Sequence, residues 1–99
     1  MIKVEVTKKR ISFLGHANFD DYGKDIVCAA VSGIVVCSVE AISKLDIKTI
    51  DIKQADNRLD ITINKFDDIT NKLIDNMISC LQEIEKKYPK NIKIINKEE

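Results

Sequence analysis

Apolar and polar residues alternate from Ile2 to Val6, with Ile2, Val4 and Val6 on one side and Lys3, Glu5 and Thr7 on the other. That two-residue period predicts a first strand. Lys8-Lys9-Arg10 makes a polar turn, and Ile11 to Gly15 reads as a second strand paired with the first in a hairpin. A short polar loop, His16 to Lys24, follows and carries Gly23 near its end. From Asp25 to about Lys44 the residues favour a helix, with Asp25 as its N-cap or first-turn acid. This helix is apolar nearly all round from Ile26 to Val39. Such a surface predicts cover on more than one side, from the sheet plus another helix or a partner subunit.

Alternation returns at Ile47 to Ile52 and at Leu59 to Ile63, and Asp56-Asn57 between them predicts a second hairpin. Asp67-Asp68 opens a second helix in which Ile69, Leu73, Met77, Leu81, Ile84 and Tyr88 form a stripe. Lys86 and Lys87 suit its C-terminal end, and Pro89 stops it. Asn91 to Ile95 reads as a final strand. The predicted order is β-β-α-β-β-α-β, one domain over residues 1–99 with no internal repeat. Strands that alternate imply a sheet wet on one face with both helices on the other. The fold class is therefore α+β, a two-layer sandwich on a mainly antiparallel sheet. The first helix, with its weak amphipathicity, points to a homodimer.

Composition narrows the function. Ninety-nine residues build one small core, which excludes an active site in a cleft between two domains. Sixteen basic residues balance sixteen acidic ones, so the basic excess of a nucleic-acid-binding surface is missing. The amino terminus reads as a strand and not as a signal peptide. The apolar run from Ile26 to Val39 is interrupted by Ser32, Gly33 and Ser38 and reads as too short for a bilayer, so no membrane partner is expected. Cys28, Cys37 and Cys80 are odd in number and widely spaced, which suits reduced thiols in the cytoplasm. With no CxxC spacing, a single histidine and no glycine-rich phosphate loop, neither a metal nor a cofactor is expected.

One pair of residues carries candidate chemistry. His16, the only histidine, stands where the second strand ends, and Cys28 falls in the first turn of the first helix. Unpaired N–H groups and the positive end of the dipole at a helix N-terminus stabilise thiolate in general. An imidazole nearby can take the thiol proton and later give one to a leaving amine. Backbone N–H groups from Ile26 to Cys28 are candidate donors to an oxyanion. On pattern alone, however, a cysteine inside Ile26-Val27-Cys28-Ala29-Ala30 reads as a small core residue, and a lone loop histidine as a surface residue. Cys37 lies about 13 Å along the helix from Cys28 and on its opposite side, and Cys80 reads as core.

The segment Gly15-His16-Ala17, a short loop, then Gly23-Lys24-Asp25-Ile26-Val27-Cys28-Ala29-Ala30-Val31-Ser32 resembles the signature of the ribosomal-processing cysteine proteases, the Prp family. The resemblance implies that Cys28 is the nucleophile and His16 the general base. It also matches Asp25, which either orients the dyad or caps the helix, and Ser32, read as a packing or hydrogen-bonding residue. Between them lies a loop with Phe19, Asp20, Asp21 and Tyr22 where family loops are more glycine-rich. Phe19, Tyr22 and Gly23 are candidate substrate-loop residues, Asp20 and Asp21 could meet basic residues beyond the cut, and a self-packed surface loop is the alternative for each. What the family implies is a homodimeric cysteine endopeptidase. It removes the short N-terminal extension of a bacterial large-subunit ribosomal protein, cutting after aromatic residues. A non-catalytic dimeric α+β module that binds the ribosome or an assembly factor is the runner-up.

Overall fold

The computed structural model describes residues 1–16 and 25–97. Its elements follow the predicted order: β1 (Ile2–Val6), β2 (Arg10–Leu14), α1 (Ile26–Leu45), β3 (Ile50–Ala55), β4 (Arg58–Ile63), α2 (Asp68–Lys87) and β5 (Ile92–Asn96). The five strands lie in the order β3-β4-β2-β1-β5. Pairing is antiparallel except between β1 and β5, which run parallel because α2 carries the chain back across the sheet.

Alternation sorts the two faces. Ile2, Val4, Ile11, Phe13, Ile61, Ile63 and Ile92 are buried against the helices. The opposite face carries Lys3, Glu5, Arg10, Arg58 and Asp60. Ser12 faces this charged side yet is buried in the central strand, and its hydroxyl donates to Asp60 Oδ1 at 2.5 Å. Arg58 Nε donates to Asp60 Oδ2 at 2.8 Å. The bond from Arg58, then the one from Ser12, hold the Asp60 carboxyl below its ordinary range.

Both helices start on an aspartate. Asp25 Oδ1 accepts the N–H groups of Val27 and Cys28, each at 3.0 Å, and Asp67 Oδ1 accepts that of Thr70 at 2.8 Å. Each cap satisfies donors that the helix itself leaves free. Helix α2 buries Thr70, Ile74, Met77 and Leu81. Full burial of side chains the size of Met77 or Leu81 is worth about 1.5–3 kcal/mol each. The stripe is one residue off the predicted start: the Asp67 cap turns Thr70 inward and leaves Ile69 58% exposed. Strand β3 also begins three residues late. Asp46 accepts from Lys48 N–H through its side chain and from Thr49 N–H through its carbonyl, and this turn puts Ile47 into solvent.

Helix α1 buries only Val27, Val31, Val35 and Ile42 in the core, and it packs beside α2. The apolar run from Ile26 to Val39 is the first part of a 20-residue helix whose apolar 18-residue stretch has mean hydropathy 2.1, long and apolar enough, by length and composition, to cross a membrane. The interrupting residues Ser32, Gly33 and Ser38 do not end the helix, and the Ser38 hydroxyl is satisfied by donating to the Ile34 carbonyl at 2.7 Å. Here one face of α1 belongs to the core.

Candidate active site

Two backbone events place the candidate residues. Strand β2 ends at Leu14, and the next residue, Gly15, has a φ of +83°, in the left-handed region that glycine enters freely. Its N–H donates to the Asn57 carbonyl at 2.9 Å, tying the end of β2 to the β3–β4 turn. Asn57 itself has φ +58°, a conformation its short polar side chain tolerates. Beyond Gly15, His16 stands exposed. On the other side Asp25 fixes the first turn of α1, and Cys28 sits half-buried, packed partly against the core.

Both residues line one groove of about 590 Å³. Its walls are α1, through Cys28, Ser32, Val36 and Val39, and the β3–β4 hairpin, through Ile52 and Gln54. The groove is mostly apolar and open, with an imidazole and a thiol among its lining groups. This arrangement suits an extended apolar peptide with its reacting carbonyl beside the thiol.

Of the predicted residues, the structure brings His16, Cys28 and Ser32 to this groove. Ser32 is exposed in the groove wall one turn after Cys28. Asp25 is the N-cap of α1. Its carboxylate takes the N–H groups of Val27 and Cys28, two of the donors proposed for an oxyanion, so these two are engaged by the cap. Asp25→Ala is expected to cost about 1 kcal/mol of stability, and Asp25→Ser, which keeps a capping oxygen, should recover most of it in urea denaturation. Lost cleavage in Asp25→Ser at wild-type stability would assign the carboxylate a role beyond the cap. Phe19, Tyr22 and Gly23, the candidate substrate-loop residues, and Asp20 and Asp21 beside them lie outside the described residues. Cys37 is exposed, Cys80 is half-buried on α2, and no group of three or more candidate metal ligands occurs among the described residues.

Sequence reasoning missed Gly15 as a conformational requirement and the hairpin as the second wall. The Gly-His pair was a signal for the first. The second was hidden by placing β3 three residues early, which put Gln54 in a loop.

A family model for cysteine protease Prp matches residues 1–93. The chain belongs to the Prp family of cysteine proteases. The ribosomal processing cysteine protease Prp of Staphylococcus aureus is 37% identical over 83 residues, covering 81% of this chain and 78% of that one. Its counterpart in Mycoplasma genitalium is 51% identical over 35 residues, 35% of each chain. Among solved structures, Prp from S. aureus with a covalently linked product peptide has TM-score 0.91 at 32% identity, covering 98% of this chain and 100% of that one. The S. aureus Prp complex with a substrate peptide has TM-score 0.84 at 31% identity over the same shares. The α+β sandwich is thus the Prp fold, and the groove with His16 and Cys28 lies on a cysteine protease scaffold.

Proposed function

We propose that this Prp-family protein is a cysteine endopeptidase that removes the short N-terminal extension of a large-subunit ribosomal protein, cutting after an aromatic residue. The observation that supports the reading is that His16 and Cys28 line the same mostly apolar groove. Cys28 thiolate attacks the scissile carbonyl carbon, forming a C–S bond. His16, which has taken the thiol proton, gives it to the departing amine as the C–N bond breaks. His16 then accepts a proton from water, whose oxygen attacks the thioester. The C–S bond breaks, the peptide leaves as a carboxylate, and the thiol is restored. No metal or cofactor enters these steps.

The test is incubation with a peptide spanning such an extension, with the products weighed by mass spectrometry. Two fragments summing to the peptide plus one water support the reading, and an intact peptide overturns it. The relatives named for ribosomal processing favour this reading over a non-catalytic ribosome-binding module, since one was solved with a covalently linked product peptide. Action on a ribosomal protein suits a cytoplasmic location, and formal charge zero suits recognition of a peptide without a grip on RNA.

A homodimer is part of the same proposal. Helix α1 keeps Ile26 and Cys37 exposed outside the groove. An apolar helix with this much open surface favours a partner copy. Sedimentation equilibrium at micromolar concentration should give twice the 11.2 kDa chain mass, and a single-chain mass removes the dimer.

A further inference from the structure

The two outer strands of the sheet differ at their free edges. On β5 the edge is closed. Ile2 N–H donates to the Asn91 carbonyl and Lys97 N–H to the Val6 carbonyl, each at 2.8 Å, so in this parallel register Ile92 and Ile94 turn their N–H groups away from β1. Both are taken: Ile92 N–H donates to the Tyr88 carbonyl at 3.2 Å, and Ile94 N–H to Glu85 Oε2 at 2.7 Å. An outer strand left open invites pairing with another chain, and helix α2 with its C-terminal end prevents that here.

On β3 the edge is open. Asn64 N–H donates to the Thr49 carbonyl at 2.8 Å, and from there the bonded partners of β4 recur at Asp51, Lys53 and Ala55. Ile52 and Gln54 therefore point their N–H and C=O groups away from β4, and no described strand lies beyond them. The side chains of these same two residues line the groove that holds His16 and Cys28. The open edge and the groove thus run along the same stretch of chain.

Resting on the protease reading above, we propose that the acyl half of the substrate binds as an added strand on the outer edge of β3, bonded through the backbone groups of Ile52 and Gln54. A strand presents its N–H and C=O groups to one neighbour at every second residue, about 6.6 Å apart, which is the spacing from Ile52 to Gln54. A thiol enzyme keeps the acyl half of its substrate while the amine leaves, so bonds to that half hold the thioester in place until water attacks. Backbone pairing selects an extended segment, whatever side chains it carries at the paired positions.

N-acetylated ten-residue peptides with phenylalanine before the scissile bond test this, each N-methylated at one of the second to fifth residues before that bond. KM should alternate: a methyl group on an amide that faces β3 raises it about three- to tenfold, and one on the amides between changes it less than about twofold. Gln54→Pro removes an edge N–H without breaking a bond to β4, so the protein should fold, as urea denaturation will show. In this variant KM for the unmethylated peptide should rise about three- to tenfold, and the alternation should shrink. If all four methyl groups cost alike, or if folded Gln54→Pro keeps the wild-type KM and the alternation, the added strand is overturned while the protease reading stands. Should Gln54→Pro not fold, the peptide series in the wild-type protein decides alone. If wild type cuts neither the unmethylated peptide nor the natural extension, the protease reading itself falls and takes this one with it.

Discussion

Replacing Cys28 with alanine is expected to lower kcat for peptide cleavage by at least about 10³-fold, because the thiol supplies the bond-forming atom and nothing in the groove replaces it. His16→Ala should lose a similar factor, since both proton transfers pass through one imidazole. The double variant should be little worse than Cys28→Ala alone, as members of one catalytic unit are not additive. Stability should barely change in His16→Ala, whose side chain is exposed. Time courses by mass spectrometry, with urea denaturation as control, provide the check. If Cys28→Ala or His16→Ala cuts as fast as wild type, the dyad assignment fails. Cys37 and Cys80 differ from Cys28 in place and not in chemistry: neither lines the groove. Cys37→Ala and Cys80→Ala are therefore expected to keep their activity.

The second large effect is at Gly15. A Cβ there would stand 2.8 Å from the Met1 carbonyl oxygen, and the backbone φ of +83° disfavours any other residue. The Met1 carbonyl cannot swing aside cheaply, because the Ile2 N–H bonds the Asn91 carbonyl at 2.8 Å and β1 is paired on both edges. Strain and overlap together should make Gly15→Ala less stable by about 2–3 kcal/mol. The denaturation midpoint should fall with unchanged slope. Activity should fall further than stability explains, because His16 hangs from this bend. Gly33→Ala is the control: its added carbon meets nothing within 4 Å, and in a helix it should stabilise by about 0.5–1 kcal/mol. If the two substitutions lower the midpoint alike, the crowding at Gly15 is not what the fold depends on.

Much of this molecule was legible from residue order because its signals are local. Two-residue alternation gave Ile2, Val4 and Val6 an inward face, and aspartates at 25 and 67 marked both helix starts. Boundaries slipped where side chains outbid the pattern. Ile47 continues an alternating run, yet Asp46 bonds to the Lys48 and Thr49 N–H groups and holds Ile47 in a turn. Ile69 fits a helical stripe, yet the Asp67 cap sets the phase one residue later. Asp25 could have served the dyad or the helix, and only its two 3.0 Å bonds to Val27 and Cys28 show the cap.

Residue order alone was enough for the element order and the layer arrangement, and it pointed to His16 and Cys28 as the candidate pair, since period, caps and a contiguous motif need no knowledge of distant partners. Tertiary structure alone decided the β3-β4-β2-β1-β5 order, which follows from the parallel return of β5 beside β1 and the docking of β4 on β2. It alone also joined Gly15 to Asn57 and made α1 and the β3–β4 hairpin the two walls of one groove. These contacts join residues tens of positions apart. They depend on how whole faces pack, and no local spacing encodes that.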